Sequence, residues 1–132
     1  MLAVVGLGGA LGTLLRHGVS VWLPHAAGQV PWSTLLVNVV GCGVIGAFMV
    51  AITETAVSHR LLRPFVGVGV LGGLTTFSTY AVDVVELVLA GRPRLALGYL
   101  AGTVLATLAA VVLGVVGMRV MLRWTRAEGG RR

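Results

Sequence analysis

The chain has 132 residues, of which 57% are hydrophobic and only 11% charged, against roughly 25% charged in an ordinary soluble domain. With a mean hydropathy of +0.98, this composition excludes a soluble globular fold and describes a polytopic membrane protein, with room for about four spans of roughly 20–25 residues. The net charge is +6 and all ten basic residues are Arg; most sit between apolar spans or in the tail, so they are read as topology-setting and lipid-facing rather than nucleic-acid-binding.

In chain order, the first span is predicted from about Leu2 to Leu23. It lacks the basic start of a cleaved signal peptide, and Arg16 falls in its second half. Pro24 and Pro31 bracket a short loop, and Trp22 and Trp32 stand as interfacial anchors. The second span follows over 32–52. It contains Cys42, which is read as a small packing residue, because a lone cysteine excludes an intramolecular disulfide and a cysteine-based metal site. A polar connector with Glu54, His59, Arg60 and Arg63 leads to the third span, 65–90. Gly91-Arg92-Pro93-Arg94 is a tight turn, and the fourth span, 95–122, ends in an Arg-rich tail. Connectors this short force neighbouring helices to be antiparallel. The expectation is one all-α domain over residues 1–132 with four transmembrane helices.

The third span carries an interruption, Gly72-Gly73-Leu74-Thr75-Thr76-Phe77-Ser78-Thr79-Tyr80. Backbone that leaves the helix inside lipid is tolerated only where it is buried in protein or faces a water- or ion-filled cavity. A helix broken mid-membrane is therefore predicted here, with residues 72–80 as the functional centre. Carbonyls freed around Gly72 to Thr75 suit a hard cation; the plainer alternative is satisfaction by the Thr75 or Thr76 hydroxyl, or by water.

Asn38 is the second polar feature, on a helical stripe with Thr34 and Gly41. A mid-membrane carboxamide can clamp helices together, or it can line a pathway and offer N–H groups to an anion. Phe77 and Tyr80 are three apart, and their ring edges are electropositive; the alternative is ordinary aromatic packing. The resulting expectation is a path of neutral donors and ring edges without a fixed cation. Arg16, Asp83 and Glu86 are charges within or near the spans and are functional suspects by default, although snorkelling or pairing of the acids with an Arg is the plainer account. None of the three histidines is placed for a proton relay by the sequence. No metal-binding cluster and no nucleophile–base constellation stands out, which argues against an enzyme.

Gly8/Gly12 and Gly98/Gly102 have GxxxG spacing, and Gly41, Gly43 and Gly46 crowd the second span. Such residues let helices approach closely, within one subunit or between two. Four short helices enclose little interior, which favours a dimer for any transport pathway.

Gly8-Gly9-Ala10-Leu11-Gly12 with Arg16, then Thr34 to Gly41, then Gly72 to Thr79 resemble the Fluc (CrcB) fluoride channel family, with the resemblance covering all four spans. It implies an antiparallel dimer with two fluoride pores and a structural sodium ion at the dimer centre, held by the backbone carbonyls of Gly72 and Thr75. The pore residues it implies are Asn38, Phe77, Ser78, Thr79 and, at the second aromatic position, Tyr80. The family usually has Phe at Tyr80 and Glu at Asp83. A phenol hydroxyl adds a donor and bulk to a pore that otherwise presents a ring edge.

The function implied is passive, fluoride-selective export from the cytoplasm across the cell membrane. A small multidrug-type proton-coupled exporter would need a carboxylate in the first span, where none occurs. A non-conducting partner subunit is the third alternative, kept open by Tyr80. With four spans, Arg60, Arg63, Arg119, Arg123, Arg126, Arg131 and Arg132 share one side, and Arg92 and Arg94, with Arg16 if it snorkels, take the other. That excess predicts cytoplasmic termini and a single orientation, hence pairing with an oppositely oriented paralogue.

Overall fold

A computed structural model describes residues 1–55 and 60–129; His59 of the connector and the tail residues Arg131 and Arg132 lie outside them. Regular structure among the described residues is all helical: α1 (Leu2–Trp22), α2 (Trp32–Glu54), a π-type segment (Arg63–Leu71), α3 (Gly72–Leu74), α4 (Ser78–Leu89) and α5 (Pro93–Gly129). Four stretches are long and apolar enough to cross a membrane, Leu2–Trp22, Trp32–Glu54, Arg63–Leu89 and Pro93–Ala127. The protein is therefore a multi-pass membrane protein.

Each boundary has a local cause. The chain leaves α1 at Leu23 and passes through Pro24 to Pro31, where Gly28 takes a φ of 80° that a side chain would disfavour. The Gln29 side chain accepts a hydrogen bond from Ala26 N–H, which fixes the turn. Pro31, almost wholly buried, precedes the first residue of α2, where its missing N–H costs nothing. Gly91, with φ of 74°, ends α4, and Pro93 starts α5. The fourth helix runs past the predicted end at 122. Its 37 residues span about 55 Å at 1.5 Å per residue, well beyond a hydrocarbon core of about 30 Å.

The wide turns between Arg63 and Leu71 were not legible in the sequence. They begin with Pro64 at the second position and continue through Gly67 and Gly69. At this segment α1 comes backbone to backbone: a Cβ on Gly12 would overlap the Val70 carbonyl and lie 2.8 Å from Leu74 N. Gly8 meets Gly69 and Gly73 meets Gly9 in the same way. Helix α2 packs chiefly along α5, and α1 along the π-type segment and α3. The Gly8/Gly12 pair is thus explained by packing inside one chain. Gly98 and Gly102, by contrast, have no neighbouring helix among the described residues near their missing Cβ positions.

A small core of Tyr80, Leu87, Ala96 and Tyr99 lies between α4 and α5, flanked by Val30 and Leu35. Many large apolar residues face outward, including Leu7, Leu14, Leu105 and Leu113, as expected for helices whose solvent is lipid.

The glycine seam yields a stability prediction. Gly12→Ala must push α1 off the π-type segment, and overpacking of this kind costs about 1–3 kcal/mol; Gly117→Ala, with open space around it, should be neutral or slightly stabilising. Size-exclusion chromatography of detergent-solubilised protein after a heating series should show earlier loss for Gly12→Ala. Equal survival of the two variants would refute the seam.

Candidate functional site

Helical hydrogen bonding lapses over Thr75-Thr76-Phe77, where Thr75 is extended with φ of −77° and ψ of 151°. Two N–H groups are redirected there. In a continuous helix Thr76 N–H would donate to the Gly72 carbonyl; it donates instead to Asn38 Oδ1 at 2.7 Å. Thr79 N–H would donate to the Thr75 carbonyl; it donates instead to Thr76 Oγ1 at 3.1 Å. The carbonyls of Gly72 and Thr75 thereby lose their helical donors. The Leu71 carbonyl does not, since it accepts from both Thr75 N–H and the Thr75 hydroxyl. Hydroxyl satisfaction therefore accounts for one carbonyl at this bend.

Asn38 closes the other half of this arrangement, its Nδ2 donating to the Thr76 carbonyl at 2.9 Å. The side chain is 7% exposed, and its amide orientation is fixed because only one flip satisfies both bonds. It acts as a clamp between α2 and the interruption, which was one of its two sequence readings. One amide N–H is committed to Thr76, and the second is left for another acceptor.

Thr76 lines two cavities. The first, about 200 Å3, is lined by Thr13, Arg16, His17, Ser20, Ser33, Thr34, Val37, Thr76 and Thr79. Arg16 has no carboxylate partner among the described residues, where the one ion pair is Arg119 with Glu54 at 3.0 Å. In this cavity α1 turns its guanidinium-bearing face towards the hydroxyls of α2 and α4. A cation among neutral donors is chemistry for an anion.

The second cavity, about 270 Å3, is lined by Asn38, Cys42, Thr75, Thr76, Phe77, Tyr80, Thr103, Val104 and Thr107. Phe77 stands 79% exposed, with its ring centroid 5.8 Å from that of Tyr80. Tyr80 is 7% exposed, and its hydroxyl donates to the Leu100 carbonyl at 2.8 Å. The donor that distinguishes it from phenylalanine is thus held on α5, leaving the ring at the cavity wall. Ser78 Oγ lies 3.3 Å from Thr76 Oγ1, and Thr76 donates to Thr79 Oγ1 at 3.0 Å, so these hydroxyls form one connected set at the start of α4.

Asp83 neither snorkels nor pairs with an arginine. It is 6% exposed and accepts a hydrogen bond from the Tyr99 hydroxyl at 3.2 Å. Its neighbours include His25 and Glu86, a grouping the sequence reading did not anticipate, since His25 is more than fifty positions away in sequence.

Sequence reasoning also missed the contribution of α5. Tyr99, Thr103 and Thr107 follow each other at intervals of four and share a helix face, a polar stripe that was available as a signal in an otherwise apolar span. The Thr103 hydroxyl is buried and has no hydrogen-bond partner among the described residues, while Thr107 returns its hydroxyl to the Thr103 carbonyl at 2.9 Å.

A family model described as CrcB-like protein, Camphor Resistance (CrcB), matches residues 3–115. The chain is 57% identical over 119 residues to the fluoride-specific ion channel FluC 2 of Nocardia farcinica, covering 90% of this chain and 85% of that one. It is 54% identical over 127 residues to the fluoride-specific ion channel FluC 1 of Streptomyces coelicolor, covering 96% and 82%. Against the fluoride-specific ion channel FluC of Rhizobium meliloti the identity is 38% over 122 residues, covering 92% and 98%. The chain belongs to the CrcB-like family.

Proposed function

We propose that this chain is a subunit of a passive fluoride-selective channel that lets fluoride leave the cytoplasm down its electrochemical gradient. The observation that carries the proposal is the cavity lined by Asn38, Phe77, Tyr80 and Thr103, beside which the buried Thr103 hydroxyl has no hydrogen-bond partner among the described residues. A buried hydroxyl without a partner is costly, and a small dehydrated anion is a natural acceptor for it. Family membership, together with the fluoride-specific channels among its relatives, supports the same reading.

The mechanism follows from the donor arrangement. Arg16 raises the local anion concentration in the first cavity, where Thr34 and Thr79 hydroxyls can replace part of the hydration shell. Thr76 belongs to both cavities, so its surroundings form the passage between them. With the termini cytoplasmic, the second cavity lies on the cytoplasmic side of this passage, so the outgoing ion meets the free Asn38 N–H, the Thr103 side chain and the rings of Phe77 and Tyr80 before it reaches Arg16. Each of these donors is neutral, so the ion can leave as readily as it binds. A proton-coupled exporter has no supporting carboxylate in α1.

The assembly we propose is an antiparallel dimer with the third helix broken mid-membrane at the interface. Phe77 and Gly72 are exposed in the single chain, so both are available to a second subunit. A structural sodium ion is proposed at that interface. The fit rests on the Gly72 and Thr75 carbonyls, which have lost their helical N–H donors to Asn38 and Thr76; hard oxygen donors of this kind suit a hard cation. The ion would neutralise the two carbonyl dipoles and tie the subunits together. Arginine excess at the end carrying Arg119, Arg123 and Arg126 supports cytoplasmic termini and one orientation, and hence an oppositely inserted paralogue as partner. Relatives numbered FluC 1 and FluC 2 are in keeping with that pairing.

Three outcomes test this. Purified protein in liposomes, together with its partner where one is needed, should release fluoride and retain chloride; comparable fluxes would end the selectivity claim. Thr103→Val keeps shape and removes only the orphan hydroxyl. It should lower fluoride flux roughly three- to tenfold, the worth of one neutral hydrogen bond, without loss of thermal stability. Asn38→Ala should differ, because it strands the Thr76 N–H and carbonyl; about 2–4 kcal/mol of stability should go along with conduction. If Thr103→Val instead destabilises the fold and leaves flux intact, the hydroxyl is a packing group.

Topology has its own test. Cysteines introduced at Ala27 and Thr125, in a Cys42→Ser background, should each be labelled by an impermeant reagent from one side only, and from opposite sides. Labelling of either position from both sides would show dual insertion and remove the need for a paralogue.

A further inference from the structure

At the end of the bundle remote from Arg119 and Arg126, three side chains from two elements converge. His25 is presented by the loop between α1 and α2, where the Gln29 side chain accepts from Ala26 N–H at 3.2 Å and Gln29 N–H donates to the Ala26 carbonyl at 3.1 Å. Asp83 and Glu86 are one turn apart on α4 and therefore share a face. One donor atom from each of the three lies within 4.8 Å of the other two.

The charges are unbalanced. Asp83 is 6% exposed, and its single hydrogen bond from the protein is the Tyr99 hydroxyl on Oδ2. Neither acid forms an ion pair among the described residues. A buried carboxylate beside a second carboxylate, with no ion pair among the described residues, is costly. That cost falls if a positive ion sits between them.

We propose that His25, Asp83 and Glu86 form a binding site for a divalent transition-metal ion of the zinc class. One imidazole nitrogen with two carboxylate oxygens is a donor set that suits Zn2+, leaving a fourth position for water. Two carboxylates balance the dication, so the bound site is neutral. Zinc–ligand bonds of about 2.0–2.2 Å require the donors to close to roughly 3.4 Å. His25 and Glu86 are both exposed and free to rotate by that amount, whereas buried Asp83 supplies the fixed point. The Tyr99 hydroxyl on Asp83 Oδ2 orients the carboxylate, the usual support for a metal-bound acid. The occupied site would pin the α1–α2 loop to α4, one helical turn from Tyr80.

The test uses the full chain, purified on a tag free of histidine and titrated calorimetrically with zinc chloride at neutral pH. One zinc ion per chain is expected. His25→Ala and Glu86→Gln, both at exposed positions, should each weaken binding by at least about tenfold, since loss of even a supporting contact to a metal ligand costs that much. His17→Ala, in the Arg16 cavity, should bind as the parent does. X-ray absorption at the zinc edge should show only nitrogen and oxygen neighbours. The proposal is overturned by absence of binding, by unchanged affinity in His25→Ala and Glu86→Gln, or by a sulfur neighbour, which would place the ion at Cys42.

Discussion

Inside an apolar slab, a helix that stops bonding to itself must have its stranded groups taken up by something else. In this chain the α2 carboxamide of Asn38 takes both polar groups of Thr76, one as acceptor and one as donor. Everything distinctive about the site follows from that pair of bonds. Because Thr76 N–H turns to Asn38, the Gly72 carbonyl is released; because the Thr76 hydroxyl then caps Thr79 N–H, the Thr75 carbonyl is released as well. The same two bonds hold the start of α4 where Phe77 faces outward and Tyr80 faces α5. A clamp and a pathway residue are usually competing accounts of a buried asparagine, yet here one amide hydrogen serves the first role and the other is available for the second.

The clamp needs α1, α2 and the third span to be closer than side chains normally permit. Glycine supplies this on both sides of the α1 seam, and on both sides of the α2–α5 seam, where Gly114 lies against the Gly43 carbonyl. Gly41 serves the site directly, since a Cβ there would collide with the Thr75 methyl. Membrane helices have little hydrophobic drive to associate with one another, so close backbone approach is a main source of their cohesion. The small-residue content of the chain is therefore part of the mechanism that holds the interruption in place.

Charge is divided along the long axis. The end bearing α5's extension is held by Arg119 and Arg126, which grip the Glu54 carboxylate and carbonyl. The other end carries Asp83, Glu86 and His25. Between them Arg16 is the charged residue that lines the first cavity.

The sequence by itself determined the class and the four apolar stretches, because hydropathy is a local property that reads directly from residue order. It also singled out Asn38, Phe77 and the hydroxyls from Thr76 to Thr79, since polar groups are conspicuous against an apolar background. Tertiary structure decided what those groups touch. The partner of Asn38 lies 38 positions away, and that of the Tyr80 hydroxyl lies 20 away on another helix, so no periodicity within one span could reveal them. The same holds for Arg16, whose direction depends on how closely the glycines let α1 approach, and for His25, which meets Asp83 only because a turn carries the loop across the end of α4. The orphan hydroxyl of Thr103 is a further case. Its stripe with Tyr99 and Thr107 is written in the sequence, but its lack of a partner is a property of the packed helices, because only packing removes the water that would otherwise satisfy it.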